Sequence, residues 1–413
     1  MTTAISNISL YKWLRITLIN LLLVAFLGVI MRYKIAFSLP FVNQKNLLNA
    51  HSHFAFAGWI TQALMTFIAL YIARNSNAFS LKKYNYLLLA NLITAYGMLF
   101  SFPFEGYSLI SIIFSTLSIF VSYAFAIVVW KDLNSIREKT ITHLWIKAAL
   151  VFSVLSSAGP YILAYMLATK DIDQHVYLAS IYYYLHFQYN GWFFFTCMGL
   201  FTDKISTVIL SFKNQKIIFY LFAFACAPAY FLSALWLPMP VWLYLLVILA
   251  AFAQVIAWGI FLSKIIANHS KIFQQTKPAI KYLFCLSAIA ASIKLLLQLG
   301  STIPALSTWA FGFRPIVIGY LHLVFLGIFS IFILAYALYN QWLFYTKQVA
   351  WGIWVFIAGI IINEILLMTQ GLDAITYTGV PYVNEMLLGA TGIIFIGLLI
   401  LNTAIKTSPK PIT

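Results

Sequence analysis

The chain has 413 residues, of which 63% are apolar, 18% aromatic and only 8% charged, and its mean hydropathy is +0.93. A soluble domain carries about 25% charged residues, so this composition excludes a soluble globular protein. The formal net charge of +16 is distributed without a long run of like charges, and we therefore expect no nucleic-acid partner.

Twelve apolar stretches follow one another along the chain, and each is long enough to cross a bilayer as a helix. The sequence therefore predicts an all-α polytopic membrane protein. Short loops without a Pro/Gly/Ser-rich linker connect the stretches, which favours a single transmembrane domain over residues 1–413, with no evident internal repeat. The predicted spans lie near residues 13–31, 51–73, 84–103, 107–130, 142–168, 176–200, 216–236, 241–263, 282–300, 315–339, 348–370 and 383–404.

The distribution of basic residues predicts the orientation of these spans. Eighteen of the 25 Lys and Arg residues fall on the side that holds both termini, five fall on the other side, and two lie within spans. Cytoplasmic loops carry the excess of basic residues in membrane proteins. We therefore expect both termini in the cytoplasm and the chain in the cytoplasmic (inner) membrane as a multi-pass protein. Cys197, Cys226 and Cys285 form no motif, and we expect buried thiols.

Four of the seven histidines lie in predicted spans: His51 and His53 in span 2, His186 in span 6 and His322 in span 10. At ~1.5 Å per residue, His53, His186 and His322 stand about 32, 26 and 27 Å from the cytoplasmic ends of their spans. The three spans run in the same direction, so these histidines share one level in the outer half of the membrane. The remaining histidines, which we expect on the solvated surface, are His143, His175 and His269.

A shared depth on three helices favours a ligand site over unrelated buried histidines. Ionisable groups inside a bilayer are costly and are candidates for function, and neutral imidazole is the commonest metal ligand among side chains. A lone buried histidine that only makes hydrogen bonds is the alternative for each residue. At ~100° per residue the rings of His51 and His53 point about 200° apart, so at most one of them serves a given haem.

At these residues the chain resembles subunit I of the haem–copper oxidase superfamily, and most closely its nitric-oxide reductase branch. That family has twelve spans and places its low-spin haem ligands on spans 2 and 10 and a copper ligand on span 6. The resemblance implies a haem held by His322 and by His53, with His51 as the alternative, and a metal near His186. The local pattern around His186, with Asn190 and Gly191 following, is similar to that branch.

Two departures from the family pattern stand out. Span 7 contains no histidine, whereas the family needs two there for its copper site, and Tyr320 stands where the high-spin haem ligand is expected. The resemblance therefore implies a haem protein without a complete haem–copper centre. A weaker resemblance joins the chain to the haem- and copper-containing membrane proteins of the bacterial nitric-oxide response, through His53 and the glycine five residues later.

The resemblance implies electron transfer, or handling of nitric oxide or oxygen, with a non-covalent b-type haem, because the chain has no CxxCH motif. A second metal or haem would use His186 and Tyr320, and Lys294 and Arg314 are candidates to contact haem propionates. Possible partners are a quinol, a cytochrome or other respiratory subunits. If the chain turns over a substrate, it is an oxidoreductase.

Two other functions stay open from the sequence. The first is a secondary transporter whose site uses His186, Lys294 and Glu364, the last two of which could also form a structural ion pair. The second is a haem-free scaffold within a respiratory complex.

Overall fold

The computed structural model describes residues 9–76, 79–209 and 212–405. Within these residues the regular secondary structure is helical, and they contain no strand. The α-helices are α1 Leu10–Phe37, α2 Gln44–His53, α3 Gln62–Asn75, α4 Leu81–Glu105, α5 Leu109–Ser135, α6 Ile141–Ser156, α7 Ala158–Thr169, α8 Gln174–His186, α9 Phe194–Ile209, α10 Phe212–Cys226, α11 Val241–Ala267, α12 His269–Ile272, α13 Pro278–Gly300, α14 Pro304–Gly312, α15 Arg314–His322, α16 Ile331–Tyr339, α17 Lys347–Thr376 and α18 Val383–Ala404.

Three π-helices and one 3₁₀-helix join some of these α-helices. The π-helices are π1 Phe54–Thr61, π2 Phe187–Phe193 and π3 Leu323–Ser330, and the 3₁₀-helix is Pro228–Ser233. Each π-helix continues the α-helix before it without a break, so that α2, π1 and α3 form one long helix over Gln44–Asn75.

Ten helices among the described residues are long and apolar enough to cross a membrane. The chain is therefore a multi-pass all-α membrane protein. Predicted spans 6 and 7 fall on the helical segments Gln174–Ile209 and Phe212–Ser233, which are not among those ten. The total of twelve spans and the cytoplasmic position of both termini stay predictions, and residues 1–8 and 406–413 lie outside the described part.

The chain divides into two compact units. One, here called the central unit, runs from Arg137 to Phe332, and the other, here called the terminal unit, combines Met1–Ile136 with Ile333–Thr413. The expectation of a single transmembrane domain stays a prediction.

Glycines allow α17 and α18 of the terminal unit to pack closely. A Cβ atom built on Gly397 would lie 2.4 Å from the backbone nitrogen of Phe356, and one on Gly352 would lie 2.7 Å from the backbone nitrogen of Leu401. Lipid-embedded helices lack a hydrophobic driving force for association, so close contact between backbones through small residues is what holds them together. Larger side chains at either glycine would separate these two helices.

A side-chain cap starts α8, the helix that carries His186. The Asp173 carboxylate accepts a hydrogen bond from the Val176 backbone N–H over 2.9 Å. This bond satisfies one of the free N–H groups of the first turn, and it lowers the pKa of the Asp173 carboxyl. The cap fixes where α8 begins, and therefore the position of His186 thirteen residues later in the same helix.

Two side chains differ from the sequence-based expectations. His143 is buried and does not lie on the solvated surface, and its Nδ1 accepts the Thr140 backbone N–H in a capping box at the start of α6. Cys285 is exposed, whereas Cys197 and Cys226 are buried as expected. Cys285 lies on the outward face of α13, where a weakly polar thiol is compatible with a lipid environment.

Candidate functional site

A π-helix begins directly after a histidine in three of the long helices. π1 follows His53, π2 follows His186 and π3 follows His322. π-helices are rare and frequently lie at functional sites. The same three histidines were selected from the sequence by their common depth, and the local backbone now distinguishes them independently.

A short sequence pattern accompanies each of these transitions. Each of the three histidines is followed by glycine at the fifth position, as Gly58, Gly191 and Gly327, and the histidines are 133 and 136 residues apart. From the sequence we expected no internal repeat. The shared His-x₄-Gly pattern at near-equal intervals was the signal that could have predicted three related helix segments.

Gly191 permits close packing against π2. A Cβ atom at this position would lie 2.5 Å from the Cβ atom of Phe152 in α6, which is closer than real side chains approach. The Phe152 ring also stacks on Phe187, the first residue of π2, with 5.8 Å between ring centroids. The glycine therefore fixes α6 directly against the segment that follows His186.

His51 and His53 point in different directions, as their spacing predicts. The His51 Nδ1 lies 3.1 Å from the Val24 carbonyl oxygen of α1. Because a carbonyl oxygen can only accept, Nδ1 carries the proton and Nε2 keeps its lone pair. The His53 Nε2 instead lies 2.9 Å from the Tyr107 hydroxyl, and its ring stacks on Phe102 of α4 with centroids 4.6 Å apart.

The buried His186 lies within a continuous chain of hydrogen bonds in the central unit. Lys294 Nζ donates to Asn190 Oδ1 over 2.5 Å, and Asn190 Nδ2 donates to His186 Nδ1 over 3.0 Å. His186 Nε2 donates to the Cys226 carbonyl oxygen over 2.8 Å. The ammonium can only donate and the carbonyl can only accept, so the two ends fix the asparagine orientation and the neutral Nε2–H tautomer of His186.

The free carbonyl of Cys226 results from the end of α10. Pro228 has no N–H group, and the chain continues after it as a 3₁₀-helix, in which the Tyr230 N–H donates to the Ala227 carbonyl over 3.2 Å. In a continuing α-helix that N–H would bind the Cys226 carbonyl. The change to a 3₁₀-helix at Pro228 therefore releases the acceptor that His186 uses.

The remaining predicted residues lie along α15. Arg314, its first residue, is exposed, and the last residue, His322, is half-buried at the start of π3. The Tyr320 ring packs against Tyr189 of π2 with centroids 6.3 Å apart and planes at 69°. The structure thus joins Lys294 to His186 through Asn190, and it places Tyr320 against the residue three positions after His186.

Asn190 was expected from the sequence only as part of the pattern that surrounds His186, and its bridging role was not predicted. It is 5% exposed and bridges Lys294 and His186. Its position four residues after His186 on a helix was a usable signal, since residues at that spacing lie on one face.

Across the described residues, no three His, Cys, Asp or Glu side chains are close enough to hold a metal ion together. No protein-family model and no curated protein matches the chain. The resemblance to the haem–copper oxidases therefore rests on the residues quoted above.

Proposed function

We propose that the chain is a haem-binding protein of the cytoplasmic membrane that transfers electrons or handles nitric oxide or oxygen. The observation that best supports this proposal is the hydrogen bond between His51 Nδ1 and the Val24 carbonyl. Histidine ligands of metals almost always donate their second ring N–H to a carbonyl, a carboxylate or water, which fixes the tautomer and directs the lone pair of the other nitrogen. His51 has this arrangement.

His51 fits a haem ligand better than His53 does. The Nε2 atom of His53 is already bonded to the Tyr107 hydroxyl, and its ring is held by stacking on Phe102. A ligand at that atom would have to displace Tyr107. The proposed haem is therefore bound by His51, with His53 as the alternative, and by His322 as the second ligand implied by the resemblance. When bound, the haem iron would supply a one-electron redox centre.

His186 fits a metal ligand poorly. Both of its ring nitrogens have hydrogen-bond partners, and Lys294 brings an ammonium group into the same chain, where it would repel a metal cation. A second metal or haem at His186 and Tyr320 therefore stays a prediction from the resemblance. Arg314, exposed at the start of α15, is a better candidate than the buried Lys294 to contact a haem propionate.

The test is the visible spectrum of the purified full-length protein, together with its haem content. We expect the reduced α band of a b-type haem, which His51→Ala and His322→Ala abolish and the matched control His53→Ala keeps. Added imidazole should restore the band in His51→Ala, which separates a lost ligand from a misfolded chain. A colourless wild-type protein would refute the proposal, and loss of haem in His53→Ala alone would exchange the roles of the two histidines.

A second candidate function, a secondary transporter, is supported by the buried chain from Lys294 to His186. Buried ionisable groups in membrane helices mark substrate and ion pathways. A folded but colourless protein that moves a solute across liposome membranes, and loses this activity in Lys294→Met, would favour the transporter. A folded, colourless and inactive protein would instead favour the haem-free scaffold.

A further inference from the structure

A small cavity lies beside Lys294 in the interior of the central unit. Its volume is about 10 Å³, and its polar walls are Asn190 of π2, Gln254 of α11 and Lys294 of α13, while phenylalanine and leucine side chains form the rest. The three polar residues are only 5%, 5% and 7% exposed. A cavity needs about 10–15 Å³ to hold one water-sized guest. Its size is therefore near that of one water-sized guest.

Two of the polar groups have hydrogen-bonding capacity left for such a guest. Lys294 carries three N–H donors, and one of them binds Asn190 Oδ1. Within the described part of the chain, the Gln254 amide makes no hydrogen bond to protein. An amide in an apolar interior is unfavourable when it has no hydrogen-bond partner. A guest that accepts hydrogen bonds from both side chains would remove this cost.

The charge of the central unit favours an anion over a neutral guest. Its only carboxylates are Glu138, Asp171, Asp173 and Asp203. The first three lie in loops outside the helices, and Asp203, near the end of α9, pairs with Lys204 at 3.8 Å. No carboxylate of this unit thus compensates Lys294, and an isolated ammonium buried in a low-dielectric interior is strongly unfavourable.

We propose that the cavity binds a monatomic inorganic anion, with chloride as the representative, between the Lys294 ammonium and the Gln254 amide N–H groups. The anion neutralises the buried ammonium, and the Asn190 oxygen holds the remaining side of that ammonium. This binding site is independent of haem, since none of its residues is a proposed iron ligand.

The experiment measures thermal unfolding of the purified full-length protein, reconstituted in gluconate buffer, during titration with chloride or bromide. The Cys285→Ser background leaves Cys197 and Cys226, both buried and both in the central unit, as reporters for a thiol-reactive dye. The midpoint of thermal unfolding should rise saturably, by about 5–10 °C when the halide concentration is one hundred times its dissociation constant. Sulfate at the same ionic strength should have no such effect.

Variants locate the effect. Lys294→Met and Gln254→Leu should remove the halide response. Gln298→Leu should keep it, since Gln298 is a buried glutamine on α13, the helix of Lys294, and does not line the cavity. Bromide-soaked crystals of the wild-type protein should show an anomalous peak between Lys294 and Gln254, which tests the site without any variant. A wild-type protein without a halide response, or a water molecule in place of the bromide peak, would overturn the proposal.

Discussion

Replacing Asn190 by leucine tests the hydrogen-bond chain of the central unit. The substitution keeps a side chain of similar size but leaves Lys294 Nζ without its 2.5 Å acceptor and His186 Nδ1 without its 3.0 Å donor. Both partners are buried, at 7% and 0% exposure. Each buried polar group that loses its partner costs about 1–3 kcal/mol. We therefore expect Asn190→Leu to destabilise the central unit by about 3 kcal/mol.

The assay follows unfolding with the thiol-reactive dye in the Cys285→Ser background. For a unit of 150–250 residues, a loss of 3 kcal/mol lowers the unfolding midpoint by about 6–12 °C. Because Cys197 and Cys226 lie in the same unit as Asn190, the dye reports the unit that the substitution affects.

A double-mutant cycle separates the hydrogen bonds from simple repacking. Lys294→Met alone removes a buried charge together with its hydrogen bond to Asn190, so its effect should be below about 1 kcal/mol. The Asn190→Leu/Lys294→Met double variant should then be more stable than Asn190→Leu by about 1–2 kcal/mol, because the stranded ammonium is gone. If the two substitutions are instead strictly additive, the two side chains are not coupled and the reasoning is wrong.

Three further substitutions probe local structure. Gly191→Ala should lower the midpoint of thermal unfolding, because the added Cβ would meet Phe152. Gly259→Ala, which has open space around its Cβ, should leave the midpoint unchanged. Equal midpoints for the two variants would contradict close packing at Gly191. Asp173→Ala should lower the unfolding midpoint at neutral pH, whereas Asp173→Asn should not. Because folding lowers the pKa of the Asp173 carboxyl, its contribution to stability is present at neutral pH and is lost as the pH falls through the lowered pKa. A series of unfolding midpoints measured against pH tests this. Asn91→Leu should lower the stability of the fold by about 1–3 kcal/mol, because it removes the side chain that donates a hydrogen bond to the Ala57 carbonyl of π1. Thermal unfolding followed by circular dichroism measures this loss, and an unchanged stability would refute the role of Asn91.

The sequence alone predicted the general architecture and the candidate histidines. Long apolar stretches and basic loops are strong signals because the bilayer imposes both. The sequence also grouped Lys294 with His186 in the candidate transporter site. Their connection through Asn190 was not predictable in the same way, because it depends on how α13 packs against π2 and not on any local pattern.

The partner of His186 was hidden for a different reason. It is a backbone carbonyl, that of Cys226, and every residue type carries one. Only the transition to a 3₁₀-helix after Pro228 makes this carbonyl available. A proline near the end of an apolar stretch was a visible signal for released carbonyls, but the sequence could not indicate which side chain would bind them.

The backbone at the three histidines is stabilised by donors from other helices. A π-helix leaves carbonyls without their usual α-helical partners, so it persists where other groups satisfy them. In π1, Asn20 Nδ2 donates to the Gly58 carbonyl over 2.6 Å, and in π3 the Ser287 hydroxyl donates to the Ile328 carbonyl over 3.0 Å. In π2 the Cys226 thiol approaches the Asn190 carbonyl at 3.9 Å.

These donors differ in chemistry and come from different helices, yet each is placed within the segment that follows a histidine. Independent side chains that stabilise the same uncommon backbone at three separate places argue that the π-helices are required features of the fold. Each π-helix begins directly after a histidine. Its wider turns therefore hold in place the helical backbone that carries that histidine. The histidines are therefore held by the backbone itself, as a site that must position imidazole rings requires.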